Sequence, residues 1–219
     1  MLHWNHPLGL DCTSERPASY PGLLRPRDRA TDAHFIPAND DHPLGTLGGS
    51  YSGASAINEK GQVIGSSNIA VGKWFEHAFL YSNGKMTDLS LGGTDSWAYD
   101  INEKGQVVGY SFTTGDLAVH AFLYGDGMIT DLGTLGGTYS DAYDINEKGQ
   151  VIGGSYTPGD SAWHTFLYSD GTMTDLTQMV FDLFLVDNFS GYDIRGGQII
   201  GSCDWGGNMN ACILTVPNK

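Results

Sequence analysis

The sequence predicts an all-β fold, a small β-propeller of four-stranded antiparallel blades, and three observations carry that prediction. The hexapeptide Ile-Asn-Glu-Lys-Gly-Gln occurs three times, at Ile57–Gln62, Ile101–Gln106 and Ile145–Gln150, each copy offset by 44 residues from the last. A repeat of this length is one supersecondary unit that must stack on its neighbours. Glycine makes up 31 of 219 residues, about twice the usual share, while charged residues reach only 16%. Such a profile suits short strands joined by glycine turns. Helical 3.6-residue periodicity is absent, and apolar residues alternate in a period of two instead.

Residues 1–32 stand outside the repeat and read as irregular chain, with four prolines and mixed charge. The repeat domain is expected over 33–216. Its first trace is His34-Phe35-Ile36 followed by Pro43-Leu44-Gly45-Thr46-Leu47, which resembles the second hairpin of a preceding copy.

Three strong copies follow, at about 47–89, 91–132 and 135–176, each opening on Leu-Gly-Gly and ending on Thr-Asp-Leu. In the middle copy, Ala98–Asn102 and Gln106–Ser111 flank Glu-Lys-Gly. Asn opening the turn, with Gly three positions later, suits a type I turn with glycine at the positive-φ position of a bulge. A second hairpin joins His120–Tyr124 to Met128–Leu132 through Gly-Asp-Gly, with His120, Phe122 and Tyr124 on one face and Ala121 and Leu123 on the other. Four strands in about 43 residues is the size of a propeller blade.

A worn fourth copy occupies 177–216. It keeps Tyr192–Ile194 and Gly196–Ser202, and it carries an apolar insertion, Met179–Val186, without counterpart in the other copies. Five blades are expected, the last completed by strands from both termini, because closing the ring removes two exposed sheet edges. Four blades with an extra hairpin, or an array that closes by dimerising, are the alternatives.

The net charge of −14 lies almost wholly in the repeats, because Arg16, Arg25, Arg27 and Arg29 balance the acids of the first 32 residues. So acidic a surface, with no basic stripe, speaks against nucleic-acid binding and favours cations. No apolar run reaches about 18 residues, so no membrane span is expected. The opening residues show no basic segment followed by an apolar one, so no signal peptide is read there. Of three cysteines, Cys203 and Cys212 bracket a hairpin and could pair, with small buried thiols as the alternative.

The set formed by Leu-Gly-Thr-Leu-Gly-Gly, the INEKGQ turn and His-Ala-Phe-Leu-Tyr resembles the bacterial HAF-repeat family. The tripeptide stands at His77-Ala78-Phe79 and His120-Ala121-Phe122, and as His164-Thr165-Phe166 in the third copy. The resemblance covers 44–176 strongly and 177–216 weakly. It implies an extracellular or periplasmic bacterial repeat protein, and supplies no catalytic residues.

No nucleophile elbow, HExxH, CxxC pair or phosphate loop occurs, so any site must be assembled from several blades. If the Ala-Tyr-Asp-Ile-Asn strand is innermost, Asp100, Asp144 and Asp193 occupy equivalent places around one axis, with Ala56 as the odd member. Carboxylates facing one another raise each other's pKa unless a cation sits among them, and an oxygen-rich ring suits Ca2+. The structural alternative is that each Asp caps backbone amides inside its own blade. The recurring Asn58, Asn102 and Asn146 fit the first turn position, and His77, His120 and His164 are expected to repeat one hydrogen bond per blade.

Departures from the repeat are the sharper suspects. His34 and His42 stand with Asp40 and Asp41 where the repeat would place an ordinary turn, and Arg195 replaces the turn Asn in the fourth copy. Arg195, His34 and His42 are the candidate catalytic groups, Arg195 as a lone cation that would orient an anionic or carbonyl group or simply pair with an Asp. Two functions follow. One is a secreted binding module, with Trp74, Trp97, Trp163, Trp205 and loop tyrosines offering a surface for glycans or protein partners. The other is a Ca2+-dependent hydrolase of esters or lactones, such as acyl-homoserine lactones, its metal polarising the carbonyl and activating water. The second is argued from the fold alone. Oligomeric state is not fixed by the sequence.

Overall fold

Each repeat folds as a four-stranded antiparallel meander because its two hairpin turns and its period-two alternation agree on the register. The computed structural model describes residues 43–72 and 74–216, which belong to a compact unit beginning at His42. The first sheet holds β1 (Ser52–Ile57), β2 (Val63–Asn68), β3 (Glu76–Ser82) and β4 (Lys85–Asp88). The second holds β5 (Gly92–Ile101), β6 (Val107–Thr113), β7 (Val119–Gly125) and β8 (Met128–Gly133), and the third β9 (Ser140–Ile145), β10 (Val151–Tyr156), β11 (Trp163–Ser169) and β12 (Thr172–Asp175). In all three the spatial order is the chain order.

The worn copy differs. A helix, α1 (Leu176–Phe184), comes first, followed by a three-stranded sheet of β13 (Asn188–Arg195), β14 (Gln198–Trp205) and β15 (Asn208–Thr215). The apolar insertion is thus most of this helix. Asp175 caps it, accepting from the Gln178 N–H at 2.8 Å. Leu176, Thr177 and Val180 turn inward, while Phe181, Leu183 and Phe184 face out. The expected four strands per copy are therefore corrected to three in the last, where none of the described residues supplies the outer strand.

Three cores join the four sheets. Ile64, Ala78, Leu89, Ala98 and Phe122 bind the first to the second, Val108, Ala142 and Phe166 the second to the third, and Ile152, Leu167, Phe189 and Ile199 the third to the fourth. Among the described residues no such cluster joins the fourth to the first. Both faces of the His-x-Phe strand are buried, since Ala78 and Ala121 are as enclosed as Phe79 and Phe122. Each buried phenylalanine contributes on the order of 2 kcal/mol.

The sheets converge on their first strands. β5 touches β1, β9 touches β5, and β13 touches β9. Ala-Tyr-Asp-Ile-Asn is accordingly the strand at which the sheets meet. The segment His34–Ile36, assigned above to a strand, lies outside the described residues.

Candidate functional site

The INEKGQ turns form a ladder along the line where the sheets meet. Asn102 Oδ1 accepts from the Lys104 and Gln106 N–H groups, both at 3.0 Å, and so closes its own turn. Its Nδ2 donates to the Asn146 carbonyl at 3.0 Å, just as Asn58 donates to the Asn102 carbonyl at 3.0 Å. Glu103 and Glu147 extend the pattern by accepting from the Glu59 and Glu103 N–H groups at 3.1 Å. The fourth sheet carries Arg195 at the ladder position. Its side chain is 70% exposed and bonds Asp193 Oδ1 at 3.3 Å, so the group faces solvent rather than an enclosed site.

The histidines repeat one interaction. Nδ1 of His77, His120 and His164 meets a carboxylate oxygen of Asp88, Asp131 and Asp175 at 2.8, 2.9 and 2.7 Å. Burial pulls His77 down, but the Asp88 hydrogen bond and charge more than offset it and hold the imidazole above its ordinary value.

Asp100, Asp144 and Asp193 do come together. Asp100 Oδ2 accepts the Ile145 N–H at 3.2 Å, and Asp144 Oδ2 accepts the Ile194 N–H at 2.7 Å. Each carboxyl therefore caps an amide of the next sheet, not of its own. Asp100 and Asp144 are only 7% and 6% exposed. Burial, followed by the hydrogen bond and charge of Asp100, drives Asp144 far above the ordinary carboxylate range, and a hydrogen bond with Asp193 adds to it. Burial and crowding therefore favour a proton held within the cluster, where Asp144 meets two carboxyl neighbours.

Ca2+ asks for about six to eight oxygens, all as acceptors. Here Asp100 and Asp144 each commit an oxygen to a backbone amide. Among the described residues no group of three or more His, Cys, Asp or Glu is disposed to hold a metal ion. His34 and His42, the other candidate catalytic groups, lie outside the described residues.

A second constellation lies between the second and third sheets, built from residues that break the repeat. Tyr110 stands where the other copies have Ser66 and Gly154, and Asp141 where they have Gly53 and Trp97. Five rings run across the two sheets. Tyr99 meets Tyr110 at 5.8 Å, Tyr110 meets Tyr139 at 6.3 Å, and Tyr139 meets Trp163 at 5.6 Å and Tyr156 at 6.4 Å. Tyr156 and Trp163 close the run edge-on at 4.9 Å. Tyr99, Tyr156 and Trp163 keep part of their surface in solvent, as does Trp97.

Asp141 sits at the centre of this wall, opposite Gly154 in the β9–β10 register. Tyr143, the Gly154 N–H and Tyr139 reach its carboxylate, yet burial outweighs them and pushes it up to about 6. Its Oδ1 is buried without a hydrogen-bond partner. Tyr143 in turn bonds Trp163. Gly154 is what lets the two rings close in, because a Cβ there would overlap the Trp163 ring and the Tyr143 hydroxyl. Burial raises Tyr99, Tyr139 and Tyr143, and the Asp141 charge adds to it, so all three remain phenols.

The wall was only partly legible. Trp97 and Trp163, two of the tryptophans expected to present a ligand surface, lie on strands. Trp74, 94% exposed and in the loop before β3, and Trp205, 60% exposed at the end of β14, have no part in the run of rings. Asp141 is not among the residues expected from the sequence. The repeat carries a signal at Tyr110, which stands where the aligned copies have Ser66 and Gly154.

Residues 23–135, just over half of the chain, match the profile of a family described as a protein of unknown function (DUF3466). A search of curated proteins gives no match. Among solved structures, the chain is similar to the β-propeller domain of the Trilobed protease from Pyrococcus furiosus, at 10% identity and a TM-score of 0.46. That overlap takes in 74% of this chain and 54% of the other, so the chain spans about half the length of the structure it matches.

Proposed function

We propose, for a chain that belongs to the DUF3466 family, the role of a non-enzymatic binding module whose ligand docks on the aromatic wall between the second and third sheets. One observation carries this reading: five rings from two sheets form a continuous run beside half-buried Asp141, whose Oδ1 has no hydrogen-bond partner. Part-exposed Tyr and Trp on rigid strands offer contact area at low entropic cost.

The module is read as a β-propeller of HAF-repeat type, of four or five blades, with its sheets converging on their first strands. It is assigned to the periplasm or the cell exterior. The Cys203–Cys212 disulfide between β14 and β15 supports that compartment, and no helix among the described residues is long and apolar enough to cross a membrane.

A Ca2+-dependent ester or lactone hydrolase is the second reading, and the meeting of Asp100, Asp144 and Asp193 is what favours it. The two readings separate in one set of assays. Binding of glycans and small ligands is followed through tryptophan fluorescence in the wild type and in Trp163→Ala, beside hydrolysis of a chromogenic ester and a homoserine lactone. The binding module predicts ligand-induced fluorescence changes lost in Trp163→Ala, and no turnover. Turnover abolished by a chelator and by Asp144→Ala would replace it with the hydrolase.

A further inference from the structure

The rings of the wall are inclined to one another. Interplanar angles run from 37° between Tyr110 and Tyr139 to 77° between Tyr156 and Trp163. A flat sugar face stacks best on a flat platform. Rings inclined to one another offer no such platform, but their part-exposed π-faces carry the negative potential that attracts a cation.

The charges agree. Asp141 lies against Tyr99, Tyr139 and Tyr143, and its charge reaches all three. On the other flank, Asp95 and Glu76 act on Tyr110 together with Asp141. Asp95 is held in place by accepting the Glu76 N–H at 3.1 Å, and Glu76 by accepting from Ser66 at 2.9 Å. Among the described residues, the lysines of the first three sheets are Lys60, Lys104 and Lys148 in the INEKGQ turns and Lys85 at the start of β4.

We infer that the wall around Asp141 binds an organic ammonium group, quaternary or primary, seated against Tyr99, Tyr110, Tyr139 and Trp163 with Asp141 as its counter-ion. This rests on the binding-module reading and names its ligand class. A primary ammonium has N–H groups to donate to the Asp141 carboxylate, while the methylated form answers its charge alone, and the weak hydration of that form suits a site walled by rings. The ammonium could be free or carried on a peptide side chain; its recognition is the same.

The test titrates the full chain with choline and with 3,3-dimethyl-1-butanol, its uncharged isostere, at constant ionic strength. Calorimetry and tryptophan fluorescence are the readouts. A capped peptide bearing trimethyl-lysine and a neutral oligosaccharide set complete the panel. Choline binding at least tenfold tighter than the alcohol, and at least tenfold weakened in both Asp141→Asn and Trp163→Ala, is the expected result. Circular dichroism confirms that both variants fold. A peptide tighter than choline assigns the ammonium to a protein partner, and the reverse assigns it to a small molecule. Equal binding of alcohol and choline, or binding of the oligosaccharide alone, overturns the ammonium inference and leaves the binding module standing. Silence across the whole panel overturns both.

Discussion

Asp144 Oδ2 accepts the backbone N–H of Ile194 at 2.7 Å, so a side chain of the third sheet fixes the first strand of the fourth. Asp100 does the same for Ile145, one sheet earlier. Asp100 and Asp144 thus act as clamps between successive sheets. Their mutual approach is tolerated because one of them keeps its proton.

That reading predicts a sharp difference between two substitutions at one position. Asp144→Ala leaves a buried amide without an acceptor and should cost about 2 kcal/mol of stability. Asp144→Asn keeps an oxygen for Ile194 and an N–H for the neighbouring carboxylates, so it should be near neutral or stabilising at pH 7.5. Denaturant titration of the three proteins decides it. Equal loss in both variants would contradict the shared proton.

The same proton sets a pH dependence. Asp144 rises from 3.8 to about 8 on folding, so between those values the folded chain binds a proton that the unfolded chain releases. Its contribution to stability is complete below about pH 4 and is lost as pH climbs towards 8. His77, also raised, acts in the same direction above its ordinary value of 6.5. Melting temperature should therefore fall from pH 5 to pH 8, and Asp144→Asn should flatten the fall. A melting temperature that rises over this range would count against the assignment.

Asn102 makes four side-chain hydrogen bonds, two within its turn's backbone, one to Gln106 Oε1 and one to the Asn146 carbonyl. Asn102→Ala should cost about 2 kcal/mol. Asn102→Asp restores the acceptors but not the donor to the third sheet, so its cost should be intermediate. Thermal unfolding ranks the three chains.

Gly154→Ala forces Trp163 and the Tyr143 hydroxyl away from the strand. The change should lower the melting temperature by several degrees and shift tryptophan emission to longer wavelength as Trp163 gains water. The equivalent Ser66 is accommodated in the first sheet, so Ser66→Ala should do neither.

Of the three cysteines, Cys203 and Cys212 are bonded. Intact-mass measurement after alkylation under denaturing, non-reducing conditions should show one modified thiol, and three after reduction.

The repeat made much of the fold readable. Asn and Gly at fixed offsets announced each hairpin, and His, Phe and Tyr in alternation announced the strand that follows. What it could not disclose were contacts made 45 to 50 residues away, as from Asp100 to Ile145 and from Asp144 to Ile194. Alternation names the face of a strand but not the element it meets. The insertion of the fourth copy was visible as apolar chain, yet its brevity hid that it is a helix. The wall was hidden differently. Asp141 has Trp97 and Gly53 at its equivalent positions, so nothing recurs there to draw notice, and only the fold gathers one-off residues of two copies into a single surface.

The most direct test of the central claim is a paired titration of Trp163→Ala and Asp144→Asn against the wild type, with choline and the oligosaccharide set as probes. The wall predicts that Asp144→Asn binds as the wild type does, while Trp163→Ala loses at least tenfold in affinity. Binding that survives in Trp163→Ala and disappears in Asp144→Asn would move the site from the aromatic wall to the aspartate cluster and contradict the account.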